Sequence, residues 1–119
     1  MKFMLLICHD EQTWNSQTED ERQKIYTEYR QLIDELKSDG KYLFGDQLQP
    51  AATAQSVRVR NGEQLVTDGP FAETREQVGG FFMVETDSFG EAKSIAARIP
   101  SARTGTIEVR PVVAAQSKR

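Results

Sequence analysis

The sequence predicts an α+β fold, and three observations predict it. Residues 3–8 and 79–85 are almost continuously apolar, which marks short strands buried on both faces. Two longer segments, opening at Thr18 and Ser88, carry apolar residues at helical spacing behind capping-box residues. Asn61-Gly62 sits between two runs of strand-like residues and signals a tight hairpin. In chain order these give βα, β, hairpin, β, αβ. Without the hairpin this is βαββαβ, the ferredoxin-like plan.

Residues 3–8 place Phe3, Leu5 and Ile7 on one face and Met4, Leu6 and Cys8 on the other. Residues 9–17 read as a polar loop around Trp14. Thr18-Glu19-Asp20-Glu21 fits a capping box, and the helix it opens has the stripe Ile25, Tyr29, Leu32, Ile33 and Leu36, with Gly40 as its stop. Residues 42–48 form a strand weakened by Gly45 and closed by Pro50. Residues 55–60 alternate Val57 and Val59 against Arg58 and Arg60, and residues 63–67 return as their partner.

The densest stretch is VTDGPFAETREQVGGFFMVE, residues 66–85. Pro70 fixes its own φ and pushes Gly69 to an extended or positive-φ conformation. Asp68 is expected to accept from the N–H of Phe71 or Ala72 and so cap the turn. A polar run through Glu73, Arg75 and Glu76 leads to the Gly-Gly strand. Ser88-Phe89-Gly90-Glu91 opens a second helix with Phe89, Ala92, Ile95, Ala96 and Ile99 inward, stopped by Pro100. Residues 106–112 alternate as a last strand. The organisation expected is one domain over residues 1–113 and a flexible tail over 114–119.

Two helices can cover only one face of the sheet, yet its central strands are apolar on both. The uncovered face calls for a partner, and a face-to-face homodimer closing an α+β barrel is the simplest.

Composition narrows the function classes. At 119 residues, 38% hydrophobic and 28% charged, the chain reads as an ordinary soluble domain. Fifteen basic against eighteen acidic residues leave a net charge of -3, so neither nucleic acid nor an anionic membrane is an expected partner. One cysteine and one histidine give no disulfide and no metal-ligand cluster. No phosphate loop, nucleophile elbow or zinc spacing occurs, and no cofactor is expected. The start runs directly into His9-Asp10-Glu11 rather than a leader cleavage site, and no segment can span a bilayer; a cytoplasmic location is expected.

Asp68 is the candidate general base or ligand anchor, the plain alternative being a carboxylate that only caps its turn. Glu73, Arg75 and Glu76 could complete a polar pocket or form a solvated surface turn. Tyr29 could lend its hydroxyl to a cleft, although an aromatic at helical spacing usually packs in the core. His9 ends the first strand and histidine ordinarily titrates near neutrality, but the sequence supplies it no partner, so it is expected to be dispensable. Cys8 reads as a small buried hydrophobe. Arg58 and Arg60 mark the solvated side of their strand.

The start MKFMLLI, the block SVRVRNGEQLVTDGPFAETREQVGGFFMVE and the ending GTIEVRPV resemble the DGPF-type, YCII-related proteins over essentially the whole chain. The resemblance implies a ferredoxin-like dimeric α+β barrel and small cytoplasmic bacterial proteins of mostly unassigned function. Some of those are linked to extracytoplasmic-function sigma factors. The matching residues are Asp68, Gly69, Pro70, Phe71, Glu73, Glu76, Gln77, Gly79 and Gly80. Simpler relatives carry a histidine–aspartate pair with its histidine on the first helix. This chain has Glu28 and Tyr29 at that turn, so the pair does not carry over.

The reading that follows is a small-molecule-binding protein. It would be an acid–base enzyme on a small polar metabolite, at a cleft lined by the Asp68 turn through Gly69, Pro70 and Phe71. Asp68 would accept the proton, and Arg75 or Tyr29 would orient the substrate. The alternatives are a regulatory ligand-binding module and an interaction protein that docks a transcription factor.

Overall fold

A computed structural model of the chain describes residues 1–114. The two doubly apolar segments become its two central strands. β1 (Lys2–His9) pairs antiparallel with β5 (Gln77–Glu85), placing Phe3 opposite Val84 and Leu5 opposite Phe82. On its other side β1 pairs with β6 (Thr106–Pro111), and β2 (Tyr42–Gln47) closes the β5 edge. The sheet order β2-β5-β1-β6 is ferredoxin-like. The tail expected from Ala114 onward lies, beyond that residue, outside the described residues.

Two helices lie on one face. α2 (Glu19–Ser38) sinks Leu32 and Leu36, and α3 (Phe89–Arg98) sinks Ala92, Ile95 and Ala96, against Phe3, Leu5, Phe82 and Val84. The α2 capping box is complete. Thr18 Oγ1 accepts from the Glu21 amide at 3.1 Å, and the Glu21 carboxylate accepts from the Thr18 amide at 2.8 Å. The box expected at Ser88 is only half formed. Ser88 Oγ accepts from the Glu91 amide, but Glu91 turns instead to the Asp87 amide (2.9 Å) and the Lys41 ammonium (2.5 Å). That ion pair ties α3 to the entry of β2.

The polar loop expected over residues 9–17 contains a short helix, α1 (Glu11–Asn15), because Asp10 caps it by accepting from the Gln12 amide at 2.9 Å. Five residues are too few to register as a periodic pattern.

On the helix-free face Met4, Leu6, Phe81 and Met83 stay half-buried and Phe44 is exposed. β3 (Gln55–Arg60) and β4 (Glu63–Asp68) form the expected hairpin. Its turn residues Asn61 and Gly62 have φ of 51° and 79°, as a two-residue turn of this hand requires. Of the arginine face, expected to be the solvated one, Arg60 is exposed but Arg58 is not. Arg58 is half-buried with its guanidinium 5.3 Å from the Phe71 ring, whereas Val57, Val59 and Val66 are exposed. Among the described residues the two strands pair only with each other. The radius of gyration is 16.5 Å, against about 13.5 Å for a compact chain of this length, as an arm leaving the body produces.

Candidate functional site

Between α2 and the sheet lies a cavity of about 260 Å³. Tyr26, Tyr29 and Ile33 fall three and four residues apart on α2, hence on one face, and form its roof. Ile7 and Phe82 form the floor with Gly45, Gly79 and Gly80, while Trp14 and Tyr42 stand at the sides. The polar side chains are His9, Gln47 and Ser101, while Asp46, paired with Phe81, borders the cavity through its backbone and carries its side chain on the helix-free face. The rings brace one another edge to face. Trp14 meets Tyr26 at 5.6 Å, Tyr42 meets Phe82 at 5.3 Å, and His9 lies 6.3 Å from Trp14.

His9 reaches this wall through a defect in the sheet. Between Ile7 and Cys8 the β1 register jumps from Gly80 to Val78, so Gly79 is a bulge residue with no β1 partner. The imidazole occupies the space a side chain there would need, since a Cβ on Gly79 would come within 2.2 Å of His9 Nε2. Gly80 is bare for another reason: its Cβ would meet the Asp46 carbonyl oxygen at 2.9 Å.

Tyr29 Oη and Ser101 Oγ share a hydrogen bond of 2.7 Å. Burial raises the Tyr29 phenol above its ordinary pKa, and the Ser101 hydrogen bond offsets part of that. Tyr42 is raised by burial and by the Asp46 charge. Gln47 Nε2 donates to Tyr26 Oη at 3.3 Å.

A second, more polar cavity of about 140 Å³ lies on the other side of His9, Trp14 and Ser101, which line both. It adds Asp10, Thr13, Gln17, Arg103 and Thr104. The Asp10 carboxyl is held low by its hydrogen bond from Arg75 (3.2 Å) and by the Gln12 amide. Arg103 is engaged by a fork to Glu28 at 2.8 and 3.1 Å. Gln17 Oε1 is buried and has no hydrogen-bond partner among the described residues.

Of the residues singled out in the sequence, Tyr29 lines the first cavity. Asp68, Gly69, Pro70, Phe71, Glu73, Arg75 and Glu76 line neither cavity within this chain. Asp68 is not satisfied within its turn; its carboxylate accepts from Gln55 Nε2 at 3.1 Å, across the hairpin. Phe71 is 80% exposed. Glu73 and Glu76 are exposed, and Arg75 is joined to the second cavity only through Asp10.

The sequence reading missed His9, Trp14, Tyr26, Tyr42, Asp46 and Gln47 as a group. The available signals were Tyr26 lying three residues before Tyr29 and a tryptophan in a polar segment. Cys8 is unsuited to nucleophilic work, because burial and then the Glu108 and Glu76 charges push its thiol up. Among the described residues no three His, Cys, Asp or Glu side chains gather as metal ligands.

Fold and site together define a ferredoxin-like α+β domain with a projecting hairpin arm and an aromatic cavity between its layers. The chain belongs to the YCII-related domain family, whose model matches residues 1–116. It is 32% identical over 114 residues to an uncharacterized protein of Rhizobium meliloti (strain 1021), covering 94% of this chain and 92% of that one. Among the described residues no helix is long and apolar enough to cross a membrane.

Proposed function

We propose that the protein binds a small, largely apolar molecule in the cavity beneath α2, with His9 as the group that exchanges a proton with it. The observation that carries this is the convergence of five rings (Trp14, Tyr26, Tyr29, Tyr42 and Phe82) with one histidine around about 260 Å³. An imidazole offers one donor and one acceptor nitrogen, so it suits general acid–base work there. Asp68 supports this chemistry less well, because its hydrogen bond holds it on the hairpin.

The test is a small-molecule screen read by melting temperature and by emission of Trp14, the one tryptophan in the chain. Hits should shift both signals and lose affinity in Tyr26→Ala. In His9→Gln any turnover of the hits should fall about a hundredfold or more while their binding is kept. Hits that bind equally well in Tyr26→Ala would refute the location.

A homodimer formed through the helix-free sheet face is supported by half-buried Met4, Leu6, Phe81 and Met83 beside exposed Phe44. Light scattering should return twice 13.5 kDa for the native chain and a monomer for Met83→Glu. A native mass of one chain at micromolar concentration would rule the dimer out.

A further inference from the structure

Resting on the cavity just proposed as a binding site, we infer its ligand class and a second anchoring residue: a single-ring phenol with an oxygen acceptor on the far side of the ring, its hydroxyl at His9 and its acceptor at Tyr42. The two side chains are mounted alike. The β2 register slips between Tyr42 and Phe44, as the β1–β5 register slips at Gly79, so each stands beside a bulge. Each also lies over a bare glycine. Gly45 pairs with Phe82, whose side chain is in the core, and a Cβ on Gly45 would come within 2.7 Å of Tyr42 Oη. The imidazole fills the corresponding space at Gly79. The Tyr42 ring is held in place edge-on to Phe82 at 5.3 Å.

Both groups are free to bind. The hydroxyls of the roof are engaged, Tyr29 with Ser101 and Tyr26 with Gln47, whereas among the described residues the Tyr42 hydroxyl and both His9 ring nitrogens have no hydrogen-bond partner. Among those residues Gln17 Oε1 is the one fully buried side-chain atom left unpaired, so the unpaired groups of Tyr42 and His9 open onto accessible space. Burial and the Asp46 charge raise the Tyr42 phenol, which keeps it protonated as a donor.

Their spacing sets the size of the ligand. Gly79 precedes Phe82 by three positions on β5, which puts the two glycine seats on the order of 10 Å apart along the strand. A hydrogen bond of about 2.8 Å at each end leaves roughly 4–5 Å between the ligand's polar atoms, the span of one six-membered ring. The floor between the seats is bare backbone at Gly45, Gly79 and Gly80, beneath Tyr26, Tyr29 and Ile33, so the space suits a flat ring.

The experiment titrates 4-methoxyphenol, 2-methoxyphenol and 4-ethylphenol against the full chain at neutral pH, by calorimetry with Trp14 emission as the second readout. The two methoxyphenols have one composition and differ only in span; 4-ethylphenol has the length without the acceptor. 4-Methoxyphenol is expected to bind about tenfold tighter than either. In Tyr42→Phe, which keeps the ring against Phe82, that preference should fall to about one-to-one. General damage to the cavity would weaken all three and leave the ratio standing. Equal binding of the two methoxyphenols by the native chain overturns the span, and a preference that survives in Tyr42→Phe overturns Tyr42 as the anchor; either result leaves the cavity standing as a site. Silence from all three up to about 10 mM overturns the ligand class and the site together.

Discussion

Two adjacent glycines offer a sharp test of how His9 is held, because the same substitution meets different obstacles at each. At Gly79 a new methyl group would lie 2.2 Å from His9 Nε2 and 2.6 Å from its Cδ2, atoms of a side chain that can rotate away. Swinging out loses the edge contact with Trp14, on the order of 0.5–1.5 kcal/mol. Replacing glycine also restricts the unfolded chain, returning about 0.4–1 kcal/mol. Gly79→Ala should therefore change stability by less than about 1 kcal/mol while displacing the imidazole. At Gly80 the obstacle is the Asp46 carbonyl oxygen at 2.9 Å, a backbone atom of the neighbouring strand that cannot rotate away. Overpacking of that kind costs about 1–3 kcal/mol. Urea denaturation gives the two stabilities, while Trp14 emission and the His9 ring resonances report the cavity wall. We expect Gly80→Ala to be the less stable variant and Gly79→Ala to be the one with displaced His9 signals. Gly79→Ala with native His9 and Trp14 signals, or with the larger stability loss, would refute the account of the bulge.

Other substitutions and pH changes read different parts of the structure. Tyr29→Phe removes the hydroxyl that meets Ser101 and should cost about 1 kcal/mol in chemical denaturation, with the ring packing kept. The Tyr29 phenol is raised in the folded state, so its contribution is complete below about pH 10 and lost as pH rises through the folded value; stability curves of the native protein should fall there more steeply than those of Tyr29→Phe. On the acid side Asp10, Glu19, Glu21, Glu85 and Glu91 are all lowered, each through a hydrogen-bonded partner. Their contribution is present above about pH 4 and lost as pH falls, and Glu91→Gln should flatten that slope, more visibly at low salt. Asp68→Ala should shift stability by no more than about 0.5 kcal/mol, since the carboxylate is exposed and bonded only to the Gln55 amide; a loss above 1 kcal/mol in thermal melts would restore the turn-capping role.

The fold was readable where one residue pattern has one physical solution. Six apolar residues in a row, too short for a helix, must sit between two covered faces, and β1 does take the centre of the sheet. Thr18 with Glu21 and Asn61 with Gly62 each specify backbone geometry locally, and both form as written. The cavity was not readable because it is assembled across chain distance. Trp14, Tyr26, Tyr42, Phe82 and Ser101 come from separate elements, and only Tyr29 declared itself, as a core residue. His9 has no titratable partner to look for; what defines its place is the side chain that Gly79 lacks, at a bulge no periodicity announces.

The same reasoning explains why the most distinctive sequence block does not enclose the cavity. Its first half works at the root of the arm. Gly69, at a φ of 95°, donates its amide to the Ala54 carbonyl at 2.7 Å and accepts from Ser56 Oγ at 3.0 Å, so the chain leaves β4 beside the residues where β3 begins. Its middle is tied to itself, with the Gln77 amide donating to the carbonyls of Ala72 and Thr74. Its last residues, Gly79 and Gly80, open the cavity floor and seat His9. A signature read as one site therefore divides by mechanics, with an anchor for the arm at one end and a vacated strand surface at the other. Among the described residues the Arg75–Asp10 ion pair is the one side-chain link between its polar run and the cavity wall, at 3.2 Å on an exposed arginine. An exposed pair of that kind is weak, so a change in the arm reaches His9 chiefly through the β5 backbone that both halves share.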